Sequence, residues 1–344
     1  MLNKEPTANT GYHLITVTVN RGKGSKVLQF AQEIGIKGAS CLLGKGTIKD
    51  NLSQLMEVNE VNKEVLMMMI PSDREDEIID KLNQKFQLFK PNHGIAFSIP
   101  LARPLNPGKE PAIRQKEHTL SVKSHGNYSA VYVIVDRGKG KTVIEVSQNA
   151  GYYGGTILRA HGSANRLNLV LDMHVEPEKE IVLIVVGRNR VNQLTGLLYE
   201  HFNLGEANTG ILYVADINKM VGIFQEEEKE HPAGSKGYTG SYLIMAKVMY
   251  GSSGRIIKAA NAAGATGATI LKARGEKLHG KGGLFDFKIE PEEELVLIIA
   301  GEAKAEAIGR AIYDELKTIK SGGTLCAMPG FCMDTDTVSS SAEQ

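Results

Sequence analysis

The sequence predicts an α+β chain of three tandem β-α-β-β-α-β units, each a split βαβ pattern of ferredoxin-like type. Three observations predict it. Glycines recur at a fixed spacing, apolar runs recur between them, and the runs alternate between strand and helix periods in one order. The glycine pairs 24/140, 35/151, 38/154, 46/162 and 94/210 are each 116 residues apart. The next step is 114 residues at 140/254 and 113 residues at 151/264, 154/267, 162/275 and 210/323. So small a drift over so many positions points to three copies of one unit. The units are placed at 11–104, 120–224 and 238–333, with a tail at 334–344.

The middle unit is the clearest. Val131–Val135 reads as a buried strand, and Arg137-Gly-Lys-Gly-Lys141 is the turn after it. Residues 142–150 form a short helix with Val143, Val146 and Ala150 on one face, ended by Gly151, where positive φ is easiest. A strand over 156–160 stops at His161-Gly162; Glu180–Val186, a helix over 190–202 and a strand over 210–214 complete the unit. In the first unit, His13–Val19 is β-branched and strand-like, 25–33 is a helix, and 38–43 is a second strand. Glu64–Ile70 does not alternate, so it is expected to be buried on both faces, with Met67, Met68 and Met69 in the core. Glu75, Ile78, Ile79, Leu82 and Phe86 follow a helical period, and 94–100 closes the unit. The third unit opens at Ser241 and runs through helices over 255–263 and 303–318, with a strand over 295–300 between them. The prolines of 102–119 and the charges of 225–236 mark linkers. The acidic, serine-rich 334–344 reads as disordered.

Composition narrows the class. The chain has 344 residues, 42% apolar and 23% charged, with a formal net charge of +1. That balance fits a globular protein and argues against general attraction to nucleic acid or anionic membrane. No apolar run reaches the roughly 18 residues of a membrane span, and the first residues lack a signal peptide's apolar core. Cys41, Cys326 and Cys332 give neither a disulfide framework nor a zinc-ligand spacing. A cytoplasmic protein is expected.

The array of Gly140, Gly151, Gly154, Gly162, the long strand ending Glu180-Ile-Val-Leu-Ile-Val-Val186 and then Asn208-Thr-Gly-Ile-Leu-Tyr-Val214 resembles the P-II (nitrogen regulatory) signal-transduction family. The resemblance covers about four fifths of the chain and is weakest in the first unit. It implies ferredoxin-like domains packed as an intramolecular pseudo-trimer, monomeric as a chain, with effector sites in the clefts between units. It implies a signal-transduction regulator, not an enzyme, that senses a small effector and acts through its loops on a transporter or enzyme of nitrogen or carbon metabolism. The alternatives are an enzyme using one divergent cleft, or a structural module with vestigial clefts.

For effector binding, the resemblance points to Gly46, Gly94, Gly162, Gly210, Gly275 and Gly323. The nucleotide it implies is ATP or ADP, but the lysine expected after the second glycine of each unit is replaced by Ile95, Ile211 and Thr324. Loss of such an ammonium removes a charge-assisted bond of about 1.5–3 kcal/mol. The target-contact loops fall at Thr47–Gln54, Ser163–Asn168 and Glu276–Gly283. Their cations are Lys45 and Lys49 in the first, His161 and Arg166 in the second, and Arg274, Lys277, His279 and Lys281 in the third. Arg21-Gly-Lys-Gly24 and Arg137-Gly-Lys-Gly140 are turns before helices, where an anion could also sit. No catalytic set and no metal site stand out.

Overall fold

The computed structural model describes residues 11–36, 38–47, 60–105, 126–152, 154–163, 169–170, 173–174, 177–204, 206, 209–222, 239–275 and 293–333. The first third contains β1 (Tyr12–Asn20), α1 (Gly24–Glu33), β2 (Ala39–Thr47), β3 (Glu60–Pro71), α2 (Glu75–Phe86) and β4 (Ile95–Leu105). The second contains β5 (Tyr128–Asp136), α3 (Gly140–Asn149), β6 (Gly155–Gly162), a small hairpin of β7 (Leu169–Val170) and β8 (Met173–His174), then β9 (Glu178–Gly187) and α4 (Val191–His201). It ends with β10 (Ile211–Asp216) and β11 (Lys219–Gly222). The third contains β12 (Thr239–Met249), α5 (Ser253–Ala262), β13 (Thr269–Gly275), β14 (Glu293–Gly301), α6 (Glu302–Thr318) and β15 (Thr324–Met333).

These elements do not make three ferredoxin-like domains packed as a pseudo-trimer, and that expectation is overturned. Thirteen strands form one antiparallel sheet in the order β11-β4-β1-β3-β2-β13-β14-β12-β15-β10-β5-β9-β6. Further pairings β4–β15, β2–β6 and β13–β6 close ten of the strands into a barrel. The reason is edge chemistry. A four-stranded sheet leaves two rows of unpaired N–H and C=O groups, and here those rows pair with other thirds of the chain. Periodicity within a third cannot reveal that pairing. Residues 102–105, expected as linker, are therefore strand, because Ala102 and Leu105 pair with Ala327 and Leu325 of β15.

Side-chain alternation then builds two kinds of core. One face of the sheet gathers Leu14, Val65, Phe97, Tyr132, Leu183, Tyr213, Leu243, Leu297 and Met328 into one cluster spanning all three thirds. The other face packs under the helices as three separate clusters, one with α1 and α2, one with α3 and α4, one with α5 and α6. Strand β3 serves both: Val65 and Met67 point to the shared core, Leu66, Met68 and Ile70 to the helices. That is why its sequence does not alternate. Helix ends are tied by cations: Arg74 donates to the carbonyl of Ile34 at 2.8 Å after α1, and Arg190 to those of Ala150 and Gly151 at 3.3 and 3.4 Å after α3.

Strand β11, which the sequence reading did not foresee, ties the second third to the first. Met220 and Val221 pair with Phe97 and Ala96 of β4. Asn218, just before it, donates to Glu75 at 2.6 Å, and Lys219, its first residue, reaches Asp76 at 2.7 Å. Glu75 also receives the Ser98 hydroxyl and lies 2.8 Å from His13 Nδ1. Burial works against ionisation of Glu75, but the bonds from His13, Ser98 and Asn218 outweigh it and hold the carboxyl below its ordinary 4.5.

Two predictions follow from these contacts. A carboxyl depressed in the folded state stabilises above its unfolded value, and the contribution disappears as pH falls through the folded value. Stability should therefore drop as pH goes below 4.5, and Glu75→Gln should shrink that drop; urea midpoints across the acid range test it. Because one core joins all three thirds, equilibrium unfolding should show a single transition with coincident circular dichroism and tyrosine signals, whereas three independent domains would give several.

Candidate site at the strand junction

The site is made where edge strands β2, β6 and β13 meet. Lys45 of β2 lies opposite Ile157 of β6, His161 of β6 opposite Ile270 of β13, and Arg274 of β13 opposite Cys41 of β2. The three pairings are cyclic, so each strand presents the same position to the next third. Alternation sends Leu42, Leu158, Ala160, Leu271 and Ala273 into the shared core. Their neighbours Leu43, Lys45, Arg159, His161, Lys272 and Arg274 consequently share the opposite face.

On that face lies a cavity of about 670 Å³. Edge strands supply Lys45, Arg159, Lys272 and Arg274 to its wall, and Arg21, Lys63, Arg137 and Lys141 come from the flanking turns, α3 and β3. His161 joins these eight cations, and Glu180 is the single carboxylate in the lining among the described residues. Like charges so gathered repel one another across low-dielectric walls, and an anion relieves that repulsion. Burial, then the nearby charge of Lys23, lowers the pKa of Lys63. Cys41 also lines the cavity, but burial pushes its thiol up to about 11, with Glu64 adding to the shift and Arg274 opposing it. It therefore stands as a thiol at neutral pH and is a poor nucleophile.

The turns beside the cavity are occupied from within. Glu64 of β3 accepts the N–H groups of Gly22 and Gly24 at 2.9 and 2.6 Å. Glu180 of β9 accepts those of Gly138 and Gly140 at 3.1 and 2.8 Å, and Glu294 of β14 those of Gly251 and Ser253, both at 3.0 Å. The anion expected at the start of α1 and α3 is thus the protein's own carboxylate. The third copy of the clasp also places Ser253, not Gly254, at the position of Gly24 and Gly140. Glu64 carries a second duty, since its other oxygen lies 3.0 Å from Arg274 Nη2.

Of the residues singled out in sequence, Lys45, His161 and Arg274 converge on the cavity, as do Arg21 and Arg137 from the two glycine-rich turns. Lys49, Arg166, Lys277, His279 and Lys281 lie outside the described residues, as does most of each expected target-contact loop. None of the six glycines lines the cavity. Gly94 has φ +124°, and a Cβ there would stand 2.2 Å from the Thr18 carbonyl; at Gly210, with φ +153°, it would meet the Ile134 carbonyl at 2.7 Å. At Gly323 it would meet the Lys247 carbonyl at 2.6 Å. These glycines recur because the last strand of each third must enter beside the first without a side chain. Gly46, Gly162 and Gly275 lie against Lys63, Lys179 and Glu293 of the following strand, for the same steric reason.

Sequence reasoning missed Lys63, Lys141, Arg159 and Lys272. A usable signal existed for two of them: stepping back two residues along a strand from His161 and Arg274 stays on one face and reaches Arg159 and Lys272. Among the described residues, no group of three or more His, Cys, Asp or Glu side chains is placed to hold a metal ion. Nor is any described helix long and apolar enough to cross a membrane.

No protein-family model matches the sequence, and no curated protein matches it. Among solved structures, the chain is similar to aspartate kinase from Synechocystis at 10% identity and a TM-score of 0.21, covering 92% of this chain and 43% of that one. An anthrone oxidase-like protein is similar at 12% identity and a TM-score of 0.18, over 62% of this chain and 95% of that one. The chain thus spans less than half the length of the kinase, and likenesses this distant carry no argument about fold or function.

The clasp has a measurable weight. Glu64→Ala leaves two N–H groups at the start of α1 without their acceptor and Arg274 without its carboxylate. A loss of about 1–3 kcal/mol is expected, read as a lower urea midpoint at unchanged slope.

Proposed function

We propose that this chain is a non-catalytic regulator of P-II-like type that senses a small anionic effector in the junction cavity. The observation that carries the reading is the lining of eight Lys and Arg side chains against one carboxylate, in a chain whose net charge is only +1. Such local concentration of one sign draws in and holds an anion, while the near-neutral chain as a whole gives no general attraction. The volume suits a metabolite-sized ligand. A nitrogen- or carbon-linked target protein and a cytoplasmic setting come to the proposal from the family resemblance alone.

Signalling needs a ligand that favours one state of the protein over another. The pair formed by Arg274 and Glu64 supplies a physical route, because an anion competing for Arg274 would act on the carboxylate that holds the start of α1.

The test is thermal stability against ATP, ADP, AMP, cyclic AMP, 2-oxoglutarate, bicarbonate and inorganic triphosphate. A ligand bound only by the folded chain at a hundred times its dissociation constant adds about 2.7 kcal/mol, a plain upward shift in melting temperature. A shift with at least one of these anions at physiological ionic strength is expected. No shift with any of them would overturn the sensor reading.

A further inference from the structure

We propose that the junction cavity takes one compact anion of about three to four negative charges per chain, and that this single ligand bridges walls supplied by all three thirds. The inference rests on the anion-sensing reading above and narrows it to a ligand class and a stoichiometry.

The first ground is continuity. The same cavity is lined by Leu43 and Lys45 from the first third, Arg159 and His161 from the second, and Lys272 and Arg274 from the third. The cyclic pairing of β2, β6 and β13 brings those residues around one space, so a ligand at its centre faces all three walls.

The second ground is the state of the cations. Several already have carboxylate partners: Arg274 has Glu64 at 3.0 Å, Arg137 has Glu178, and Lys141 has Glu145 at 3.7 Å. Arg21, Lys63, Arg159 and Lys272 form no ion pair with a carboxylate among the described residues; Lys63 donates instead to Asn20 Oδ1 at 2.6 Å, and Lys272 stands 5.8 Å from the centre of the Tyr250 ring. At least one of these comes from each third, and all four line the cavity. Four such cations on three walls call for about three to four negative charges within one small ligand, such as a triphosphate or a tricarboxylate.

The third ground is inequality. Where the second and third walls carry Arg159 and Lys272, the first carries Leu43; where the first and second carry Arg21 and Arg137, the third carries Tyr250. Lys45, His161 and Arg274 differ again. No two walls repeat the same donor set, so three equal sites, one per third, cannot be assembled from them.

Isothermal titration with inorganic triphosphate and with citrate tests this. One ligand per chain is expected, with inorganic triphosphate or citrate binding more tightly than orthophosphate. Arg21→Gln, Arg159→Gln and Lys272→Gln are each expected to weaken binding about ten- to a hundredfold while the stoichiometry stays at one. All three side chains are exposed, so the melting temperature without ligand should not move. Lys81→Gln, far from the cavity lining, should leave affinity unchanged. A stoichiometry of two or three overturns the bridging ligand, and so does a wall variant that binds as tightly as the parent; either result leaves anion sensing standing. Absence of binding by every anion overturns both.

Discussion

The constraint on which this structure depends is the pairing of sheet edges. Each third of the chain makes a short antiparallel sheet, and short sheets end in strands with half their backbone groups unmet. Here the edges meet one another: β2, β6 and β13 at one junction, and β4, β10 and β15 through shared pairings with β15. Closure creates the common core and also decides which side chains converge. Lys45, His161 and Arg274 are more than a hundred residues apart in sequence, and only the inter-third register puts them around one space.

A second device fixes the rim of that space. In each third a glutamate from the third long strand accepts two N–H groups at the start of the first helix. This places a full negative charge where the helix dipole and unpaired donors favour it, and makes the strand–turn–helix corner rigid. A glycine-rich turn before a helix is a familiar phosphate cradle, but these turns have no vacancy. The cationic charge of the cavity belongs to side chains around the turns, and the turn backbone serves to hold them.

What could be read in the sequence follows from which interactions are local. The strand and helix periods, the glycines ending α1 and α3 and the double-sided burial of Met67 and Met68 depend on neighbours within a third, and all were visible. The closed sheet was not, because edge-to-edge pairing leaves no period behind; β11 and the end of β4 were lost for that reason. At the site, Lys45, His161 and Arg274 were legible as recurrent cations beside recurrent glycines. The glycines are open to two readings, since the close approach of two strands and the approach of a phosphate demand the same missing Cβ. Gly94 and Gly210 serve the first purpose. Lys63 was hidden because its place in the cavity depends on the register of β3 against β2, which sets it opposite Gly44.

The clasp of Ser253 by Glu294, where the other two thirds use glycine, shows how such a molecule can change. In an assembly of identical subunits, one codon alters every copy of a wall together, and a substitution harmful in one place is harmful in all. In this chain each wall has its own codons. Leucine can replace a cation at position 43 while Arg159 and Lys272 stay as they are, so selection can tune the three sides of one cavity separately.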